Sequence, residues 1–121
     1  MSDYPKEECG VVGISTNVDA SRLAFFALYA IQHRGQESAG LATYNDKIHI
    51  KTGMGLISQA LQESDIENLQ GSFSIGHTRY STTGSTKIEN AQPISCMLEN
   101  SEIALSHNGN VINAKQIKDE L

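Results

Sequence analysis

The chain has 121 residues, of which 39% are hydrophobic and 19% charged, with a formal net charge of -5. That length and balance suit one small globular domain with a modest core and exclude a disordered tail. An acidic chain without a Lys/Arg stripe offers no footing for nucleic acid, and its longest apolar run, residues 23–31, is too short to span a bilayer.

Residues 1–8 form a polar leader containing Asp3, Glu7 and Glu8, without the apolar stretch of a secretory signal. The ending Lys118-Asp119-Glu120-Leu121 spells an ER-retention address. That address acts only inside the secretory pathway, so the cytoplasm is the expected compartment. Cys9 opens a run of small and β-branched residues, 9–16, that reads as a buried strand. Asp19-Ala20-Ser21 reads as a helix start. The helix is expected to reach about Ile31, with Leu23, Phe26, Ala27, Ala30 and Ile31 on its apolar face. Its other sides are apolar too, which points to burial between layers.

Residues 32–40 are polar and glycine-bearing and read as a functional loop. Strands are expected at 39–44 and 47–52, joined by a tight turn at Asn45-Asp46. Gly53-Met54-Gly55 breaks the pattern, and 57–68 offers one or two short helices. A strand at 72–77 opens into a loop containing Gly84, and a weaker strand at 102–106 precedes His107-Asn108-Gly109-Asn110. A last helix begins after Asn113, with Gln116 as capping-box partner. Asp119 and Glu120 oppose the dipole of a helix ending there, so the chain is expected to continue past Leu121. Strand pairs on short turns, with helices between them, predict an α+β fold built on antiparallel sheets.

Cys9 has two readings. Small buried cysteines are common at strand starts. If the leader is removed, however, Cys9 gains a free α-amine, which titrates near ~7.7–8.0 and can serve the thiol as its base. Arg79 offers a planar fork able to grip a carboxylate, and the hydroxyls of Tyr80, Ser81, Thr82 and Thr83 suit a small polar substrate. The same segment also reads as a hydroxyl-rich surface turn. Arg34 follows the hydrophobic helix, where it suits either a helix C-terminus or a loop carrying it toward the site. Asn108-Gly109 is a strong turn dipeptide. It also presents two donors that could converge on one oxyanion, each worth roughly 2.7–4 kcal/mol in a transition state. Cys96 has no evident partner, and His33, His49, His77 and His107 lack metal-ligand spacing, so no metal is expected.

Five segments in order carry a resemblance: Glu8 to Ile14, Gln32 to Gly40, Gly76 to Gly84, Asn90 to Pro93, and His107 to Asn110. Together they resemble the glutamine phosphoribosylpyrophosphate amidotransferases, a branch of the class II glutamine amidotransferases within the N-terminal-nucleophile hydrolases. The resemblance implies a four-layer αββα sandwich of two antiparallel sheets. It implies a propeptide at 1–8 and part of a glutaminase domain at 9–121. It implies Cys9 as nucleophile, Asn108 and Gly109 as the oxyanion hole, and Arg79 on the glutamine α-carboxylate. Tyr80, Thr82 and Arg34 are implied to line the substrate site.

In that family, ammonia from glutamine passes to a phosphoribosyltransferase domain and converts phosphoribosyl pyrophosphate to 5-phosphoribosylamine, the first step of de novo purine synthesis. That domain, its Mg²⁺, any iron–sulfur ligands and the acid that binds the glutamine α-amine are expected beyond Leu121. No cofactor is expected in residues 1–121, and the full-length protein is expected to be a homo-oligomer. Two other readings stand beside this one. A sister amidotransferase would feed a sugar phosphate, although the loop 79–84 argues against it. An inert fragment is the other, because the downstream acid is missing.

Overall fold

The computed structural model describes residues 9–32, 37–80, 88, 91–107 and 114–120. Its elements in chain order are β1 (Gly10–Ser15), α1 (Ser21–Ile31), β2 (Ser38–Asn45), β3 (Lys47–Met54), α2 (Ile57–Ala60), α3 (Glu63–Asn68), β4 (Phe73–Arg79), β5 (Ile94–Leu98), β6 (Ser101–Leu105) and α4 (Ala114–Glu120). Four strands form a sheet in the order β1-β4-β2-β3, and β5 pairs with β6 in a second sheet. Every pairing is antiparallel. The fold class is α+β, as the strand and helix patterns predict. No helix among the described residues is long and apolar enough to cross a membrane.

Two tight turns explain much of the pairing. Asp46 joins β2 to β3 in the left-handed region at φ 63°, a conformation Asp tolerates better than most residues. Glu99, at φ 56°, plays the same part between β5 and β6. The predicted break at residues 53–55 comes later than expected. β3 runs through Met54, and the chain turns at Gly55, whose φ of 92° favours glycine.

Helix α1 packs on one face of the four-stranded sheet, and here the expected face is corrected. Ser21, Ala24 and Leu28 are buried, whereas Leu23 is 49% and Phe26 57% exposed. The physical reason lies in the sheet. Gly76 on β4 leaves a gap that Leu28 fills; a Cβ there would come 2.8 Å from the side chains of both Leu28 and Leu41. Small residues let the helix sit close, and the bulky ones are left outside. Ala24, Leu28, Ala39, Leu41, Ile57, Ala60, Leu61 and Leu69 make the core. The start of α1 also differs from expectation. Asp19 does not cap it; its carboxylate accepts the Gly71 N–H at 3.0 Å. The Ser21 hydroxyl instead donates to the Ile66 carbonyl at 3.0 Å, tying α1 to α3. Asn113, the expected cap of α4, lies outside the described residues.

Candidate active site

Among the described residues, the candidates Cys9, Arg79 and Tyr80 lie where β1 begins and β4 ends. Antiparallel register pairs Gly10 with Thr78, which carries Cys9 to the last residues of β4. There the Tyr80 backbone N–H donates to the Cys9 sulfur at 3.4 Å, and the thiol lies 3.7 Å from the Tyr80 carbonyl oxygen. The thiol is half-buried, and neither Cys9 nor Cys96 forms a disulfide. A residue 71 positions away thus fixes the sulfur through its main chain.

Arg79 is the last residue of β4 and pairs with Ser38 at the start of β2. Its Nε–H donates to the Glu37 carboxylate at 3.1 Å. The Glu37 side chain is only 7% exposed, against 27% for Arg79. Glu37 is itself held by its main chain: its N–H donates to the Arg79 carbonyl at 2.7 Å, and its carbonyl accepts from Gly55 at 2.8 Å. A buried carboxylate on a residue whose main chain is held on both sides gives the guanidinium a fixed partner. Glu37 was not among the expected site residues.

His77 lies two residues before Arg79, so both project from the same face of β4. It is 1% exposed. Its Nε2–H donates to the His107 carbonyl at 2.9 Å, and the His107 N–H donates to the Gln92 side-chain oxygen at 2.7 Å. A carbonyl only accepts, so the ring is protonated on Nε2. Burial lowers the His77 pKa from its ordinary value. The bond to the His107 carbonyl opposes that shift, while the charges of Arg79 and His107 add to it. The residue opposite His77 on β2 is Gly40. A Cβ there would stand 2.4 Å from the Gln92 carbonyl oxygen, so glycine admits the Gln92 backbone to the sheet.

Cys9, Arg79 and Tyr80 are therefore brought together, whereas Arg34, Thr82, Asn108 and Gly109 lie outside the described residues. Glu37, His77 and Gln92 are additions. Each stood inside a segment that carried the resemblance, but their contacts depend on strand register, which spacing along the chain does not reveal. Gln32, at the end of α1, accepts the Ile57 N–H at 3.0 Å and fixes the start of α2. Among the described residues, no three His, Cys, Asp or Glu side chains gather in a way that could hold a metal.

No protein-family model matches the chain. Curated relatives do. The chain is 46% identical over 121 residues to the amidophosphoribosyltransferase of Synechococcus elongatus, covering 98% of this chain and 24% of that protein. It is 48% identical over 122 residues to that of Synechocystis sp., covering 99% and 25%. It is 48% identical over 115 residues to that of Archaeoglobus fulgidus, covering 93% and 25%. Among solved structures, it superposes with a TM-score of 0.79 and 37% identity on the B. subtilis glutamine phosphoribosylpyrophosphate amidotransferase complexed with ADP and GMP. A structure described as the allosteric regulatory enzyme of purine biosynthesis gives 0.82 and 38%. Each structural match covers 91% of this chain and 24% of the other. The chain spans about a quarter of the length of the curated relatives it matches.

Proposed function

We propose, for a chain that corresponds to the N-terminal part of the amidophosphoribosyltransferases, that residues 9–121 form part of a glutaminase domain with Cys9 as nucleophile and residues 1–8 as its propeptide. The observation that carries the reading is the β1–β4 register, which sets the Cys9 thiol beside Tyr80 and the Arg79–Glu37 pair. Cleavage between Glu8 and Cys9 frees the α-amine. That amine takes the thiol proton, and the sulfur attacks the glutamine side-chain carbonyl carbon. An S–C bond forms, and the oxygen gains charge that the Asn108 side-chain amide and the Gly109 N–H receive. The intermediate collapses as the C–N bond breaks, and the ammonium at Cys9 returns its proton to the departing ammonia. Water then hydrolyses the γ-glutamyl thioester to glutamate and restores the thiol.

Arg79, aimed by Glu37, grips the glutamine α-carboxylate, with Tyr80, Thr82 and Arg34 around the substrate. The ammonia is destined for phosphoribosyl pyrophosphate, giving 5-phosphoribosylamine in the first step of de novo purine synthesis. That transfer and its Mg²⁺ belong to a phosphoribosyltransferase region, in a cytoplasmic homo-oligomer. The test is direct. Intact mass of the full-length protein should show loss of residues 1–8, and glutamine hydrolysis should vanish in Cys9→Ala. Turnover that survives Cys9→Ala, or an active protein that retains Met1, overturns the reading.

A further inference from the structure

Both backbone polar groups of His107 are held by side chains rather than by a neighbouring strand. His77 donates to its carbonyl at 2.9 Å, and Gln92 accepts from its N–H at 2.7 Å. β6 ends at Leu105, so His107 has already left the β5–β6 ladder. Asn108 and Gly109 follow immediately in the chain. What holds the His107 main chain therefore anchors the last described residue before the two expected oxyanion donors, the Asn108 side-chain amide and the Gly109 N–H.

His77 is an expensive way to fill space. Its ring is buried, and its Nδ1 has no hydrogen-bond partner among the described residues. Burying an unpaired polar atom costs free energy that an aliphatic side chain of similar size would avoid. Nor does the ring simply close a gap in the sheet. Its neighbour across β2 is Gly40, whose missing Cβ admits Gln92, the second residue of the clamp. Three features on two strands and a loop therefore converge on the one residue that precedes the expected oxyanion donors.

We infer that His77 is a positioning residue for glutamine hydrolysis: its Nε2–H holds the His107 carbonyl while the Gln92 side chain holds the His107 N–H, anchoring the main chain from which the expected oxyanion donors Asn108 and Gly109 follow. The inference rests on the glutaminase reading above. His77 touches neither substrate nor the reacting sulfur; it acts through the main chain of His107. Its loss should therefore weaken transition-state stabilisation while leaving glutamine binding and thiol accessibility nearly intact.

The experiment uses the full-length, leader-processed protein and compares wild type, His77→Leu and His77→Gln. Leucine removes the donor, whereas glutamine returns an N–H donor without an ionisable ring. Glutaminase kcat and KM are measured, together with the rate of Cys9 alkylation by iodoacetamide, which forms no oxyanion. Removing a whole oxyanion donor costs on the order of 10²–10³ in kcat, so a misplaced pair should cost His77→Leu ~30-fold. Its KM should move by less than ~3-fold and its alkylation rate by less than ~2-fold, with glutamine at the same position recovering most of the lost kcat. A His77→Leu kcat close to wild type overturns the inference. So does a loss carried by KM, or a fall in alkylation that matches the fall in kcat, or a glutamine variant no better than leucine. Failure of the glutaminase reading looks different: wild type itself would show no hydrolysis dependent on Cys9, and the inference falls with it.

Discussion

Three residues of the candidate site, Cys9, Arg79 and Tyr80, were singled out in the sequence by their chemistry. Cys9 stands at a strand start behind a polar leader, and Arg79 stands among hydroxyls. Glu37 was not visible as a partner, because the contact that defines it spans 42 positions and depends on β2 meeting β4 in register. The pair is partly buried, so its geometry matters more than that of a surface ion pair. Glu37→Ala is expected to raise the KM for glutamine ~10-fold, equivalent to ~1.4 kcal/mol, with a much smaller effect on kcat. Steady-state kinetics with varied glutamine checks it. His77 adds a pH signature. Its folded pKa is lowered, first by burial, and the charged guanidinium of Arg79 lies nearby. An unfolded chain therefore protonates this ring near ~6.5 while the folded chain still resists. The unfolded state then holds more protons, so stability is fully present above that pH. It falls as the pH drops below ~6.5, down to the folded pKa. Urea midpoints measured across that window should decline in wild type and decline less in His77→Gln.

Most elements were legible where periodicity and burial agree. β1, β2, β3 and β4 fall within a residue or two of their expected limits, and Asp46 turns where Asn45-Asp46 predicts. β5 was missed. All its residues are exposed, so there is no inward-outward alternation to read, and among the described residues it pairs with β6 alone. α1 was found but turned the wrong way, because the bulkiest apolar residues were assigned to the core. What decides its face is the glycine at 76, a property of the strand beneath it. A Gly76→Ala substitution places a Cβ 2.8 Å from both Leu28 and Leu41, tighter than packed side chains accept. Such overpacking is expected to cost ~1–3 kcal/mol, read as a lower urea midpoint with an unchanged slope. Unchanged stability would mean that α1 can lift from the sheet at no cost.

For the whole molecule, the α+β class was legible from short turns and alternating strands, and the relatives that match do so over nearly the whole chain. The topology was not legible. β1 pairs with β4 across α1, β2, β3, α2 and α3, and no local signal announces a partner so distant. That long-range pairing has a kinetic consequence. Contacts between remote segments form late, after the entropy of closing the intervening chain has been overcome. Cys9 meets Tyr80 only when this closure is complete. A nascent or misassembled copy thus lacks the contact between the Cys9 sulfur and the Tyr80 N–H. The order of strand association therefore decides when the Cys9 sulfur acquires its main-chain partner, a step separate from any cleavage of the leader.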